Sequence, residues 1–239
     1  MSGAWQPKRF WSEAAVKTAE GGFTVVLDDR PVRTPGKADL VMPTRALAEA
    51  VAAEWDAQEG LVKPQNMPLT RTVNSAIDKV SAQHAEIGAM IAAYGETDLL
   101  CYRAEAPEGL VDRQAKAWDP FLDWAAIQLG ARLRATTGIV PVPQDAEAMT
   151  RLAAQTRDFD AFSLAGFHDL VALSGSLILG FATVHRLKDP EEIWEISRID
   201  EAWQQAQWGE DEEAAEHTAL KKQAFLDAAR FFSLLERDD

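Results

Sequence analysis

The spacing of hydrophobic residues changes along the chain and separates a short strand-like part from a long helical part. β-Branched residues dominate and polarity alternates over residues 23–27, which predicts a strand. A turn-forming run follows, and residues 32–34 and 39–42 are expected to form two further strands. Because the connections are short, we predict antiparallel pairing in one small sheet.

Beyond Thr44, the expected N-cap of the first helix, apolar residues recur every three or four positions. This spacing is typical of helices with one buried face. Asp145 is a second expected helix cap. The predicted helices span residues 44–60, 69–80, 87–94, 108–130, 161–184, 190–208 and 213–235.

Three of these helices carry more specific expectations. Pro120 lacks a backbone donor, so a break or kink is expected near Asp119. Residues 161–184 are apolar nearly all round, which predicts one central buried helix. In the last helix, a stripe is expected to pack into the core: Leu220, Phe225, Ala228, Phe232 and Leu235.

The chain of 239 residues is long enough to bury a sizeable core in one or two domains. The order of its elements predicts an α+β fold. Residues 1–68 are expected to form a small N-terminal β-containing domain with one helix. Residues 69–239 are expected to form a larger all-α helical domain.

The stretch from Asp200 to Glu213 combines two tryptophans, three glutamines and a block of acidic residues. On one helix, with about 100° per residue, the face expected to be buried carries Ile196, Ile199, Trp203 and Ala206. The opposite face gathers Glu201, Gln204, Gln205, Trp208 and Glu212. Trp208 is thus left among polar neighbours, which makes it a candidate contact surface. The alternative is that Gly209 ends the helix and Trp208 packs into a second layer.

The charge narrows the possible partners and surroundings. A net charge of -14 argues against nucleic acid and anionic membranes, and residues 189–239 hold fifteen acidic against five basic residues. This acidic tail would suit a partner presenting basic groups. The longest apolar stretch, residues 170–184, is too short for direct membrane insertion. The first residues carry no signal peptide or presequence, so we expect a cytoplasmic protein.

Residues that carry chemistry are sparse. The four histidines are scattered and Cys101, expected to be a small buried residue, stands alone, so we predict no metal, disulfide or cofactor. The run Ser174-Gly-Ser176 resembles half of a nucleophile elbow, yet it lies within an apolar helical pattern. Phosphate-binding loops are absent. The sequence therefore predicts no catalytic residue and favours a binding protein.

Six stretches in order resemble one family, the assembly chaperones of the F-type ATP synthase catalytic head that handle the alpha subunit. Each stretch alone is weak, but six in the same order are specific. They are residues 9–11 (RFW), 27–35 (LDDRPVRTP), 54–58 (EWDAQ), 67–70 with 74–78 (MPLT, NSAID), 97–100 (TDLL) and 203–212 (WQQAQWGEDE).

The resemblance implies a non-enzymatic chaperone that needs no cofactor and has an N-terminal β domain joined to an α-helical domain. Such a protein binds the free alpha subunit, shields the surface that later meets the beta subunit, and releases it during assembly. In mitochondrial members an acidic residue that matters for function corresponds to Glu212. The histidine that usually follows it falls on Ala215 here, with His217 two residues later.

We therefore predict a partner-binding surface of Glu201, Gln204, Trp208 and Glu212, on a protein that is monomeric when free. The missing presequence implies a bacterial relative in the cytoplasm, whereas eukaryotic relatives work in the mitochondrial matrix. Two alternatives stay open at this point. One is a small-molecule enzyme with an acidic cleft between its two domains, and the other is a scaffold for an unrelated protein.

Overall fold

The computed structural model describes residues 8–138, 140–209 and 211–236, and over this range it confirms the predicted α+β class. A small sheet near the start is followed by a long helical part. The expectation that the chain carries no leader segment concerns mainly residues 1–7, which lie outside the described residues.

The small sheet is antiparallel, as predicted, and it has one strand more than the pattern indicates. The extra strand is β1 (Ala14–Ala19), which pairs along its length with β2 (Gly22–Leu27). None of the β1 residues is buried, so β1 lacks the alternation that reveals a strand. β3 (Arg30–Pro31) and β4 (Val41–Met42) also pair with β2. β4 is shorter than predicted, and β3 lies in the predicted turn. The predicted strand at residues 32–34 is wrong, since only an isolated bridge between Arg33 and Asp39 occurs there.

Most of the described chain beyond the sheet is helical. A pair of short parallel strands, β5 (Tyr102–Arg103) and β6 (Thr136–Thr137), interrupts it. The α-helices are α1 (Arg45–Asp56), α2 (Pro68–Ser75), α3 (His84–Ala92), α4 (Glu108–Gln128), α5 (Ala146–Arg157), α6 (Ala161–Ser174), α7 (Leu177–Val184), α8 (Pro190–Ser197), α9 (Ile199–Trp208) and α10 (Glu212–Ser233).

Both predicted caps are confirmed. The Thr44 hydroxyl oxygen accepts a hydrogen bond from the Leu47 amide at 3.2 Å and begins α1. Asp145 caps α5, because its Oδ1 accepts from the Ala148 amide at 2.9 Å. These short polar side chains satisfy amides that have no partner inside the helix.

Two predicted long helices are each divided in two. Residues 161–184 form α6 and α7, because Gly175 between them adopts a φ of +74°, which side chains with a β-carbon disfavour. Residues 190–208 form α8 and α9, separated at Arg198, which leaves helical geometry with φ -110° and ψ 18°. A continuous apolar pattern conceals both breaks, since the residues on each side are buried.

The helix α4 runs unbroken through Pro120, so the predicted break is wrong. Pro120 lies on the exposed side, and so does Lys116, whose carbonyl loses its helical donor. Water can satisfy that carbonyl, and the rest of the helix is held by buried Trp118 and Phe121. Packing therefore outweighs the one missing hydrogen bond.

The chain forms two compact units. The first comprises the residues up to Gln83 with residues 161–165 and the C-terminal end from Arg230, and its core packs the sheet against α1. The second comprises residues 84–160 and 166–229 and buries large aromatic side chains: Trp118, Phe121, Phe167, Phe181, Trp194 and Phe225. The sequence-based division into domains 1–68 and 69–239 stays a prediction.

Candidate functional site

The candidate surface begins at the junction of α8 and α9. Arg198 stands at this junction and contacts residues on both sides of it. The Arg198 guanidinium donates to the Ser174 carbonyl at 3.1 Å and to Glu201 at 2.9 Å. The same group lies 4.9 Å from the centre of the Trp194 ring. One side chain thus joins the end of α6 to the first turn of α9, so the direction of α9 is fixed at its start.

One side of α9 faces the second unit. Ile199 is buried, and Trp203 is half-buried against Gly109 of α4, where an added β-carbon would lie 3.0 Å from the ring. Trp203 was predicted to be a core residue, and it is less buried than that prediction implies. Ala206 is exposed, so its predicted place on a buried face is wrong. Burial along α9 thus decreases from its first residue towards its C-terminal end, where residues 206–208 are all exposed.

The opposite side of α9 carries three of the four predicted contact residues. Glu201, Gln204 and Trp208 are all exposed, and at about 100° per residue they fall within an arc of roughly 60°. Trp208 is 89% exposed, the largest value among the exposed large hydrophobic side chains of the described residues. The alternative that Trp208 packs into a second layer is therefore wrong. Exposure permits a role in binding, which stays a prediction.

The fourth predicted residue, Glu212, lies on another helix. α9 ends at Trp208 because Gly209 adopts a φ of +89°. Glu212 then stands in the first turn of α10, where it is exposed. The predicted single helix with Trp208 and Glu212 on one face is wrong, since that prediction carried helical spacing through Gly209. Both residues stay candidates, on consecutive elements.

The sequence-based prediction missed Leu220, an exposed apolar residue on α10. It was expected in the core stripe with Phe225, yet it is 71% exposed whereas Phe225 is fully buried. The two residues are five positions apart, which places them about 140° apart on a helix. Helical angles applied to the stripe would have separated Leu220 from it.

The charges around this surface are only partly paired. Glu201 pairs with Arg198, and the Asp200 carboxylate accepts a hydrogen bond from the side-chain Nε2 of Gln114 at 2.6 Å. Lys222 donates to Glu195 at 2.8 Å, and this hydrogen bond raises the pKa of Lys222. Between residues 200 and 216 the sequence contains seven acidic residues and no lysine or arginine. The surface therefore attracts basic groups.

The two serines that resemble half of a nucleophile elbow have structural roles. Both are buried; Ser174 donates to the Leu170 carbonyl at 2.7 Å, and Ser176 donates to Asp98 at 2.8 Å and begins α7. Burial raises the pKa of Asp98 to about 6 and the pKa of the Cys101 thiol to about 12. These groups support the fold and offer no reactive atom at the surface.

Other features of the described residues do not suggest a different site. No cluster of three or more potential metal ligands occurs there. None of the described helices combines the length and apolar character needed to cross a bilayer. A depression of about 520 Å³ lies beside α5, lined by a proline-rich segment (Pro141, Val142, Pro143), Met149 and a few polar residues, among which Glu96 is the one ionisable side chain.

Comparison with known proteins points in one direction. The sequence profile described as ATP12 chaperone protein matches residues 8–126. The mitochondrial protein atp12 of Schizosaccharomyces pombe is 27% identical over 221 residues, which cover 87% of this chain and 76% of that protein.

The structural similarity is more extensive. The crystal structure of Atp12 from Paracoccus denitrificans matches with a TM-score of 0.93 and 49% identity, over 96% of this chain and 98% of that chain. An aspartate-to-lysine mutant of P. denitrificans Atp12p matches with the same TM-score of 0.93, the same coverage and 48% identity. The likeness thus extends over nearly the whole of both chains.

Proposed function

This chain belongs to the ATP12 chaperone family, and we propose that it binds the free alpha subunit of the F-type ATP synthase catalytic head. The family consists of assembly chaperones of that head and not of enzymes. Within this role, the bound chaperone shields the surface of the alpha subunit that later meets the beta subunit. It then releases the subunit during assembly.

The observation that carries the proposal is the exposure of Trp208. A tryptophan that is 89% exposed at the end of an acidic helix buries little of its ring in the free protein. Burying such a side chain in a partner contributes about 2–4 kcal/mol when it acts as a hot spot. Exposed glutamine and glutamate around it would form the polar rim that surrounds such anchors.

The two alternative functions left open by the sequence, an enzyme and a scaffold for an unrelated protein, are less well supported, each for its own reason. An enzyme does not agree with the family, whose members are assembly chaperones. A scaffold for an unrelated protein would leave the family membership unexplained. The cytoplasmic location and the monomeric free state stay predictions, and the acidic surface supports the second because two copies would repel each other there.

Replacing Trp208 by alanine is expected to lower the yield of soluble alpha subunit in co-expression by at least about fivefold, since a lost anchor weakens binding by roughly 2 kcal/mol or more. The thermal midpoint of the chaperone should stay unchanged because Trp208 packs against little. Ile127→Ala is the matched control, since Ile127 is 73% exposed on α4. Full rescue by the Trp208 variant would contradict the proposal.

Replacing Glu212 by lysine is expected to slow association with the alpha subunit by roughly two- to tenfold at low salt, because it weakens attraction between the partners. The difference should shrink as the salt concentration rises. Glu59→Lys, an identical charge change at an exposed position in the first unit, serves as control. Stopped-flow rates at two salt concentrations provide the measurement. Equal slowing by both variants would assign the effect to net charge alone.

A further inference from the structure

We propose that Leu220 is a second hydrophobic anchor for the client, and that the client supplies the packing which the first half of α10 lacks. The inference rests on the proposed function and extends its site from Trp208 on α9 to the outward side of α10. Leu220 belongs to no motif of the chain, and its exposure of 71% is the feature that identifies it.

The first half of α10 buries almost nothing of itself. Among residues 212–224 none is buried, and only Ala215, Thr218 and Lys222 are half-buried. The first buried residue of the helix is Phe225, whose ring lies 5.7 Å from that of Trp194. About three turns of α10 therefore have one half-buried face and no buried side chain.

Local features stabilise these turns without packing. Asp211 caps the helix by accepting a hydrogen bond from the Ala214 amide at 3.0 Å. Glu212 and Glu213 lie in the first turn, where negative charge favours the helix. Four of the thirteen residues 212–224 are alanine, the best helix former. A helix of this length is marginally stable when it stands alone. The cap, the acidic first turn and the alanines therefore help it to stay helical while its outward side remains exposed.

The orientation of α10 turns Leu220 outward. Lys222 holds one side of the helix against α8 through its ion pair with Glu195 at 2.8 Å. Residues two positions apart on a helix point about 200° apart. Leu220 therefore lies on the side away from α8, with Glu216 one turn before it and Ala224 one turn after it, and both are exposed.

The acidic residues that precede Leu220 along the chain select the occupant, and Lys221 and Lys222, which follow it directly, are the nearest basic residues. A second copy of the chain would bring the seven acidic residues between positions 200 and 216 against the same seven, which is repulsive. The occupant that fits is an apolar surface of the client bordered by lysine and arginine. Chain length limits the distance between the Cα atoms of Trp208 and Leu220 to about 26 Å. One interface of ordinary size, about 800 Å² on each partner, can include both.

The test compares Leu220→Ser with Ile127→Ser in co-expression with the alpha subunit. Each variant chaperone carries an affinity tag, and the amount of alpha subunit that co-purifies per chaperone is measured. Leu220→Ser is expected to lower this amount about tenfold, whereas the control at the equally exposed Ile127 should stay within about twofold of wild type. Both variants should keep the wild-type thermal midpoint, because neither side chain is buried.

Hydrogen exchange of the purified complex provides the second readout. Amides of residues 214–224 are expected to exchange at least about tenfold more slowly in the complex than in the free chaperone. Equal co-purification by the two serine variants would overturn the inference while the proposed function stands. Unchanged exchange in α10 would overturn the claim that the client packs this helix. If the wild type retains no alpha subunit, the proposed function itself fails.

Discussion

Replacing Asp98 by alanine is expected to destabilise the folded protein by about 3–5 kcal/mol, which lowers its thermal midpoint by roughly 10 °C. Asp98 is fully buried, and its carboxylate accepts hydrogen bonds from the Leu100 amide at 3.0 Å, the Ser176 hydroxyl at 2.8 Å and the Ile178 amide at 3.0 Å. Removing it leaves three donors in the interior with no acceptor. Calorimetry or urea unfolding measures the loss.

Two further variants separate the hydrogen bonds from the charge. Asp98→Asn keeps the volume but directs an amide NH₂ towards groups that also donate, so a loss of about 2–3 kcal/mol is expected. Asp112→Ala, at an exposed position of α4, should change the stability by less than about 0.5 kcal/mol. A change of similar size at Asp98 and Asp112 would contradict the structural role of Asp98.

The pKa of Asp98 adds a pH dependence to this comparison. Burial raises it from 3.8 to about 6, so near pH 5 the folded state binds a proton that the unfolded state has lost. The part of the stability that comes from this bound proton is therefore full below pH 3.8 and is lost as the pH rises through 6, whereas the three accepted hydrogen bonds remain. The stability of wild type minus that of Asp98→Asn should fall by up to about 3 kcal/mol over this range. A difference that grows with pH would mean that the three donated hydrogen bonds outweigh burial.

Local sequence signals predicted most of the elements and failed where a continuous apolar pattern concealed a helix break. Thr44 and Asp145 begin helices as expected, because a cap depends on the next three residues only. The break between α6 and α7 follows from Gly175 and from Ser176, whose hydroxyl oxygen caps α7 by accepting from the Leu179 amide at 3.0 Å. Asp98, some eighty positions earlier, supports the cap by accepting from the Ile178 amide. The apolar residues on both sides of Gly175 and Ser176 concealed this local signal, so a single helix was predicted.

The candidate site shows the same limit at its surface. The polar neighbours of Trp208 correctly indicated a residue without a core partner, and the structure confirms its exposure. Leu220 was misassigned because Phe225, Ala228 and its other supposed partners are apolar, and composition alone does not show which way a helix faces. Fully buried Phe225 marks the inward side of α10, and helical angles would have placed Leu220 about 140° away from it.

Replacing Trp118 by alanine is expected to destabilise the protein by about 3–5 kcal/mol, since it leaves a large cavity in the second unit. Trp118 is fully buried, and its Nε1 donates to the Ile196 carbonyl at 2.9 Å, close to the start of α9. The Arg103 guanidinium lies 5.2 Å from the centre of its ring. Trp118→Phe keeps most of the volume and should cost about 1–2 kcal/mol, mainly for the lost hydrogen bond.

Temperature distinguishes this structural residue from the proposed anchor. Trp118→Ala should lower the thermal midpoint by roughly 10 °C and lose rescue of the alpha subunit at 37 °C, yet regain it in cells grown at about 20 °C, where the fold recovers. Trp208→Ala should fail at both temperatures with an unchanged midpoint, because it removes contacts with the client and leaves the fold intact. If cooling restored the Trp208 variant as fully as the Trp118 variant, Trp208 would belong to the fold and the exposed end of α9 would lose its role.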